Sequence, residues 1–85
     1  MARQVANEPI SVILVRSAEN NTVRPYKFKW RGRNYRITYV ARHILEYQGD
    51  KLFHVFSVTD GHAVFRLKLD AQALSWTLAA MDDPG

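Results

Sequence analysis

Residues 25–39 read PYKFKWRGRNYRITY, and their order decides the class of fold. From Tyr26 to Arg31 aromatic and basic residues alternate without a break, Tyr26, Phe28 and Trp30 on one parity and Lys27, Lys29 and Arg31 on the other. A period of two places successive side chains on opposite faces of a strand and does not fit the 3.6-residue stripe of a helix. The alternation resumes after Gly32, with Tyr35, Ile37 and Tyr39 on one parity and Arg36 and Thr38 on the other. Gly32-Arg33 as a two-residue loop, glycine first as in a type II′ turn, sets Trp30 opposite Tyr35, Phe28 opposite Ile37, Tyr26 opposite Tyr39 and Lys29 opposite Arg36. The apolar faces then coincide, predicting a hairpin with rings on one side and cations on the other.

The same reading extends in both directions. Downstream, Gly49-Asp50 between Tyr47 and Leu52, and Asp60-Gly61 between Thr59 and His62, are further hairpin loops, so the middle of the chain reads as an antiparallel meander. Carried through without a bulge, the pairing puts Leu45, Tyr47, Leu52, His54, Phe56, Val58, Phe65, Leu67 and Leu69 on the Trp30 face. The opposite face then holds Lys27, Lys29, Arg31, Arg36, Arg42, Arg66 and Lys68, mixed with Val40, Ile44, Phe53, Val55 and Val64. A bulge near Ala41–His43, or a longer turn at Thr59–Gly61, would swap the faces downstream and bend the sheet. Upstream, Ile10–Arg16 is a strand apolar on both faces, ended by the turn-prone Glu19-Asn20-Asn21-Thr22, and it reads as central or covered. Asp70–Leu74 has a capping aspartate and one helical turn's worth of helix formers before alternation resumes at Ser75–Leu78. The expected architecture is all-β: a small antiparallel meander of five or six strands curling into a sheet or barrel, with at most one short helical turn near 70–74. It forms a single domain over 1–85, ordered from about 9 to 80, with a frayed tail at 82–85.

Composition bounds what such a domain can do. In 85 residues, 47% hydrophobic, there is room for one core and no second. The absence of cysteine excludes a disulfide scaffold, thiolate metal sites and thiol catalysis, and fits a cytoplasmic location. No apolar run is long enough for a membrane helix, and the start MARQVANEP lacks the centre of a signal peptide. The net charge of +4 conceals a concentration. Between Glu19 and Glu46 there is no acidic residue, while Arg24, Lys27, Lys29, Arg31, Arg33, Arg36 and Arg42 give that stretch +7; the rest has five cations against eight acids, a net of −3.

The succession Arg24-Pro25, then Phe28-x-Trp30-Arg31-Gly32-Arg33-x-Tyr35-Arg36-Ile37, a later Gly61, Phe65-x-Leu67 and a near-terminal Trp76-x-Leu78 resembles a family of short bacterial domains of unknown function. The resemblance spans roughly residues 10–78, with Leu45 and Tyr47 where a further tryptophan is expected. It implies no activity, cofactor or catalytic residue. An association of such domains with gene neighbourhoods of error-prone DNA polymerases tilts the expectation toward DNA-related work.

The residues themselves support two readings of function. Like charges directly opposite on neighbouring strands are mutually destabilising, and a phosphate backbone would relieve them. The first reading is therefore a non-enzymatic domain that binds DNA or RNA, with weak sequence preference, through Arg24, Lys27, Lys29, Arg31, Arg33, Arg36 and Arg42. Tyr26, Phe28, Trp30, Tyr35 and Tyr39 face away from these cations and are expected in the core rather than as a stacking platform. Phe53 is the exception, placed beside Lys68 for a cation–π contact. The alternative is a protein-interaction module or homodimer that uses the apolar strip Val40, Ile44, Phe53, Val55 and Val64. Catalysis has no visible apparatus: His43, His54 and His62 lack the spacing of a zinc site, and Asp60 and Asp70 have turn and cap roles. No metal, cofactor or membrane partner is expected.

Overall fold

Alternation of the kind just described commits each segment to a strand, and hairpin turns lay neighbouring segments side by side. A computed structural model of the chain describes residues 2–83. Among them are seven strands and no helix: β1 (Ala2–Arg16), β2 (Val23–Trp30), β3 (Arg33–Arg36), β4 (Tyr39–Gln48), β5 (Lys51–Thr59), β6 (Val64–Asp70) and β7 (Ser75–Asp83). They form one antiparallel sheet in the order β3-β2-β1-β7-β6-β5-β4. The sheet is curled but not closed, with β3 and β4 as its ends. β1 is central, between β2 and β7, and it starts at Ala2, before the expected boundary. At the other end Asp82 and Asp83 pair with Arg3 and Ala2 where fraying was expected; the tail residues Pro84 and Gly85 lie outside the described residues.

The curl follows from the rings. In a flat sheet β3 and β6 would lie about 19 Å apart, four strand spacings. Instead Tyr35 of β3 meets Phe65 of β6 edge to face at 5.2 Å between ring centres, and Phe28 of β2 meets the same ring at 5.0 Å. Phe28 also stacks on Tyr35 at 4.9 Å. Around this trio gather Trp30, Ile37, Phe56, Val58, Ala63, Leu67 and Leu78, all buried, with Ile10, Val12, Val40, Trp76 and Met81 packed against them. Those side chains define the inner face, and the sheet wraps around them.

Register differs from expectation at three places, each with a local cause. The first hairpin turns through Arg31-Gly32, not Gly32-Arg33: both have positive φ, 52° and 74°, as a type I′ turn requires. The pairs become Trp30–Arg33, Lys29–Asn34, Phe28–Tyr35 and Lys27–Arg36, so Lys29 does not oppose Arg36. A shift of two residues keeps Phe28, Trp30 and Tyr35 on the inner face. Tyr26, expected in the core, is instead the extra residue of a bulge against the Ile13–Leu14 step of β1 and lies outside the core, under the outer-face Arg36. The Gly49-Asp50 loop pairs Tyr47 with Leu52 as expected, with Gly49 at φ 65°. The second difference is the third turn, which is longer than two residues, since Thr59 pairs with Val64 and not with His62. Asp60 organises it, its carboxylate accepting from the N–H groups of His62 and Ala63.

The third difference lies between β3 and β4. Ile37 is buried and Val40 packs on the core, yet Thr38 and Tyr39 between them are both exposed, a step of three that breaks the alternation. At this corner the Ile37 N–H donates to the Tyr26 carbonyl of β2, and the Thr38 N–H donates to the Thr59 carbonyl of β5. One segment thus leaves β2 and joins β5, which splits an expected single strand in two and accounts for the seventh. Three residues on, Ala41 is a bulge, with Val40 opposite Val58 and Arg42 opposite Ser57. The two irregularities cancel, so from Arg42 onward the expected faces return. Only Tyr39 and Val40 exchange: Tyr39 is 63% exposed instead of in the core, and Val40 is inside.

At 70–74 the chain makes one hydrogen-bonded turn, within the single short turn expected there, and no helix. The Leu74 N–H donates to the Asp70 carbonyl with Leu74 at φ 56°, and the Asp70 side chain accepts from Gln72 and Ala73. Those two backbone N–H bonds hold the Asp70 carboxyl below its ordinary range.

Candidate nucleic-acid interface

Residues directly opposite across neighbouring strands share a face, so the outer surface of β1–β2–β3 can be read from register alone. One row is Ser11, Lys29 and Asn34; the next is Ile13, Lys27 and Arg36. Between the rows is a shallow hollow of about 160 Å³ lined by Ser11, Ile13, Lys27, Phe28, Lys29 and Asn34. Among the described residues no carboxylate pairs with Lys27, Lys29 or Arg36. The Arg36 guanidinium lies over the Tyr26 ring at 5.5 Å, which orients it while leaving its N–H groups available. Arg24, exposed and opposite Val15, stands near the start of the same strand β2.

The other expected cations are elsewhere. Arg31 sits on the turn and is held by Glu8 of β1: its Nε and Nη2 donate to the two carboxylate oxygens at 2.9 and 2.6 Å. The Trp30 Nε1 donates to Glu8 as well, at 3.1 Å, and the guanidinium covers the Trp30 ring at 4.7 Å. Arg31 keeps the Glu8 carboxyl below its usual range, and Glu8 in turn raises Arg31. This charge is satisfied within the chain. Arg33, opposite Trp30, belongs to the inner face, where a second hollow of about 310 Å³ also contains Tyr35, Asp60, His62 and Asp83. Arg42 is on the outer side of β4, at the far end of the sheet from β3. Of the seven cations, register brings together three, with Arg24 adjoining.

The apolar strip is also rearranged. Val40 is inside, as described, while Val55 is only 3% exposed, flanked in register by Ile44 and Lys68. The Lys68 Nζ lies 4.3 Å from the centre of the Phe53 ring, the expected cation–π contact, and 3.7 Å from Glu46. Long side chains thus close over the middle of the strip. Ile44 and Val64 stay exposed.

A family model described as a domain of unknown function (DUF6504) matches residues 1–83. The chain belongs to this family. No curated protein and no solved structure matches the DUF6504 chain significantly. Among its described residues no group of three or more His, Asp or Glu side chains could hold a metal ion, and no helix is long and apolar enough to cross a membrane.

One feature of the DUF6504 chain was not visible in its sequence. His43 and His54, eleven residues apart, face each other across β4 and β5 with Nε2 and Nδ1 at 2.9 Å, and His43 stacks on Phe56 at 4.1 Å. Burial, and then the neighbouring His54, push the His43 imidazole below its ordinary value. A depressed histidine is neutral in the folded state while its unfolded counterpart still takes a proton. Its contribution is therefore present above about pH 6.5 and lost as pH falls through the folded value. Thermal melts between pH 7.5 and 5.5 are expected to show a falling Tm that flattens in His43→Phe, which keeps the stack and removes the titration. The carboxyls of Glu8 and Asp70 act lower, below about pH 4.3, and do not confuse this window.

Proposed function

We propose that the domain binds nucleic acid through backbone phosphates on the outer face of β1–β2–β3, with Lys27, Lys29 and Arg36 as the contact residues and Arg24 beside them. The observation that carries the reading is the direct opposition of Lys27 and Arg36 with no carboxylate on either among the described residues. Such a pair is unfavourable by a few tenths of a kcal/mol, roughly, and a bound phosphate would reverse the sign. Ser11 and Asn34 add neutral hydrogen-bonding groups at the end of the row. The rings of Phe28, Trp30 and Tyr35 point inward and the Tyr26 ring is covered by Arg36, so bases find no open platform on this face and sequence preference is weak. The role is binding rather than catalysis.

Titration of DNA and RNA oligonucleotides at several salt concentrations tests the reading. Three phosphate contacts give a log–log slope of about −2.7 for duplex DNA or about −2.1 for a single strand. A flat slope, or no binding at low salt, overturns it.

A further inference from the structure

We infer that the β4 edge is a self-pairing surface, through which two copies of this chain join their sheets about a two-fold axis at Ile44. β4 is an end strand ten residues long, and among the described strands it pairs with β5 alone. Its sequence, YVARHILEYQ, contains neither proline nor lysine, and its bulge at Ala41 lies toward one end, leaving Arg42–Gln48 in regular pairing. Its apolar residues point both ways: Ile44 is exposed on the outer face, Leu45 and Tyr47 on the inner face at 54% and 69%.

Antiparallel pairing of a strand with its own copy must be symmetric, residue i meeting j and j meeting i. Inner face continues into inner face only if the centre falls on a residue. With the centre on Ile44, each Arg42 stands opposite the copy's Glu46, twice over, flanking an Ile44–Ile44 contact on the outer face. On the inner face each Leu45 meets a copy's His43, and each Tyr47 falls at the end of the regular stretch, beside the Ala41 bulge. Centring on His43 instead sets Arg42 against Ile44 and Glu46 against Val40; centring on Leu45 sets Arg42 against Gln48 and Glu46 against Ile44. Only the Ile44 register matches the two opposite charges of the strand. Within the chain Glu46 already accepts from Gln48 at 3.0 Å and lies 3.7 Å from Lys68, contacts that hold its carboxylate on the outer face where Arg42 would arrive. The surface is separate from Lys27, Lys29 and Arg36, so the inference stands or falls apart from phosphate binding.

Sedimentation of the full chain over a wide concentration range is expected to show a monomer–dimer equilibrium. Arg42→Glu, which sets like charges opposite at two places, is expected to weaken the dimer at least tenfold. Arg42→Glu/Glu46→Arg, which restores both pairs with reversed sign, is expected to recover it, with circular dichroism confirming the fold of each variant. A wild-type chain that stays monomeric overturns the inference. So does a dimer indifferent to Arg42→Glu, or one that the double variant fails to restore.

Discussion

Phe65→Ala is expected to destabilise the domain by about 3–5 kcal/mol, the range for removing a buried phenyl ring, and to lower its Tm by roughly 12–40 °C. Phe65 is 1% exposed and takes edge-to-face contacts from both Phe28 and Tyr35. Its loss therefore opens a cavity and removes the contact that draws β3 and β2 toward β6. In a domain whose whole stability is of order 5–15 kcal/mol, this is a large fraction. Urea unfolding measures it directly. Tyr39→Ala is the control: strict alternation would place that ring in the core, whereas its exposure at the Ile37–Thr38 corner predicts a change within about 0.5 kcal/mol. Equal losses in the two variants would show that the corner is wrongly placed.

The double variant Lys27→Glu/Arg36→Glu is expected to lower nucleic-acid affinity by at least about 25- to 60-fold at 0.1 M salt. That range corresponds to two lost phosphate contacts on a single strand or a duplex, and reversal of charge adds repulsion to it. The salt slope should fall by about 1.4 to 1.8 in the same measurement. Both positions lie on the outer face, so the fold is expected to persist. The paired substitution Arg31→Gln provides the contrast, because Arg31 is already engaged by Glu8 and is expected to leave affinity nearly unchanged. Loss of binding in Arg31→Gln with none in the double variant would move the site to the hairpin tip.

Much of this was legible in the chain. Alternation from Lys27 to Trp30 identifies β2 and its two faces, though not the bulge at Tyr26 or the turn at Arg31. The Gly49-Asp50 turn is legible to the residue, and the contact of Phe53 with Lys68 follows from register. What escaped depended on partners distant in sequence or on paired irregularities. Arg31 adopts a left-handed backbone that a local reading assigns to glycine, and the Glu8 carboxylate that grips it comes from another strand. The left-handed Arg31 moves the hairpin register, and its pairing with Glu8 withdraws one cation from the basic face. The corner at Ile37–Thr38 and the bulge at Ala41 each reverse the alternation, so their combined signature downstream is nothing. Only Tyr39 and Val40, caught between them, reveal that either exists. Family membership adds no residue roles, since the family is itself of unknown function.

The position of β1 beside β7 has a kinetic consequence. Every other neighbouring pair in the sheet joins strands consecutive in the chain, and each can zip from its own turn. The β1–β7 pair alone joins the two ends of the described chain, with Ala2 opposite Asp83, and it occupies the middle of the sheet. Closing a loop that long precedes any reward from the contacts it makes, and folds dominated by such pairings take milliseconds to seconds. The centre of this sheet is thus the seam between two sets of strands that local turns join, β1–β2–β3 on one side and β4–β5–β6–β7 on the other, and the ring cluster of Phe28, Tyr35 and Phe65 spans that seam.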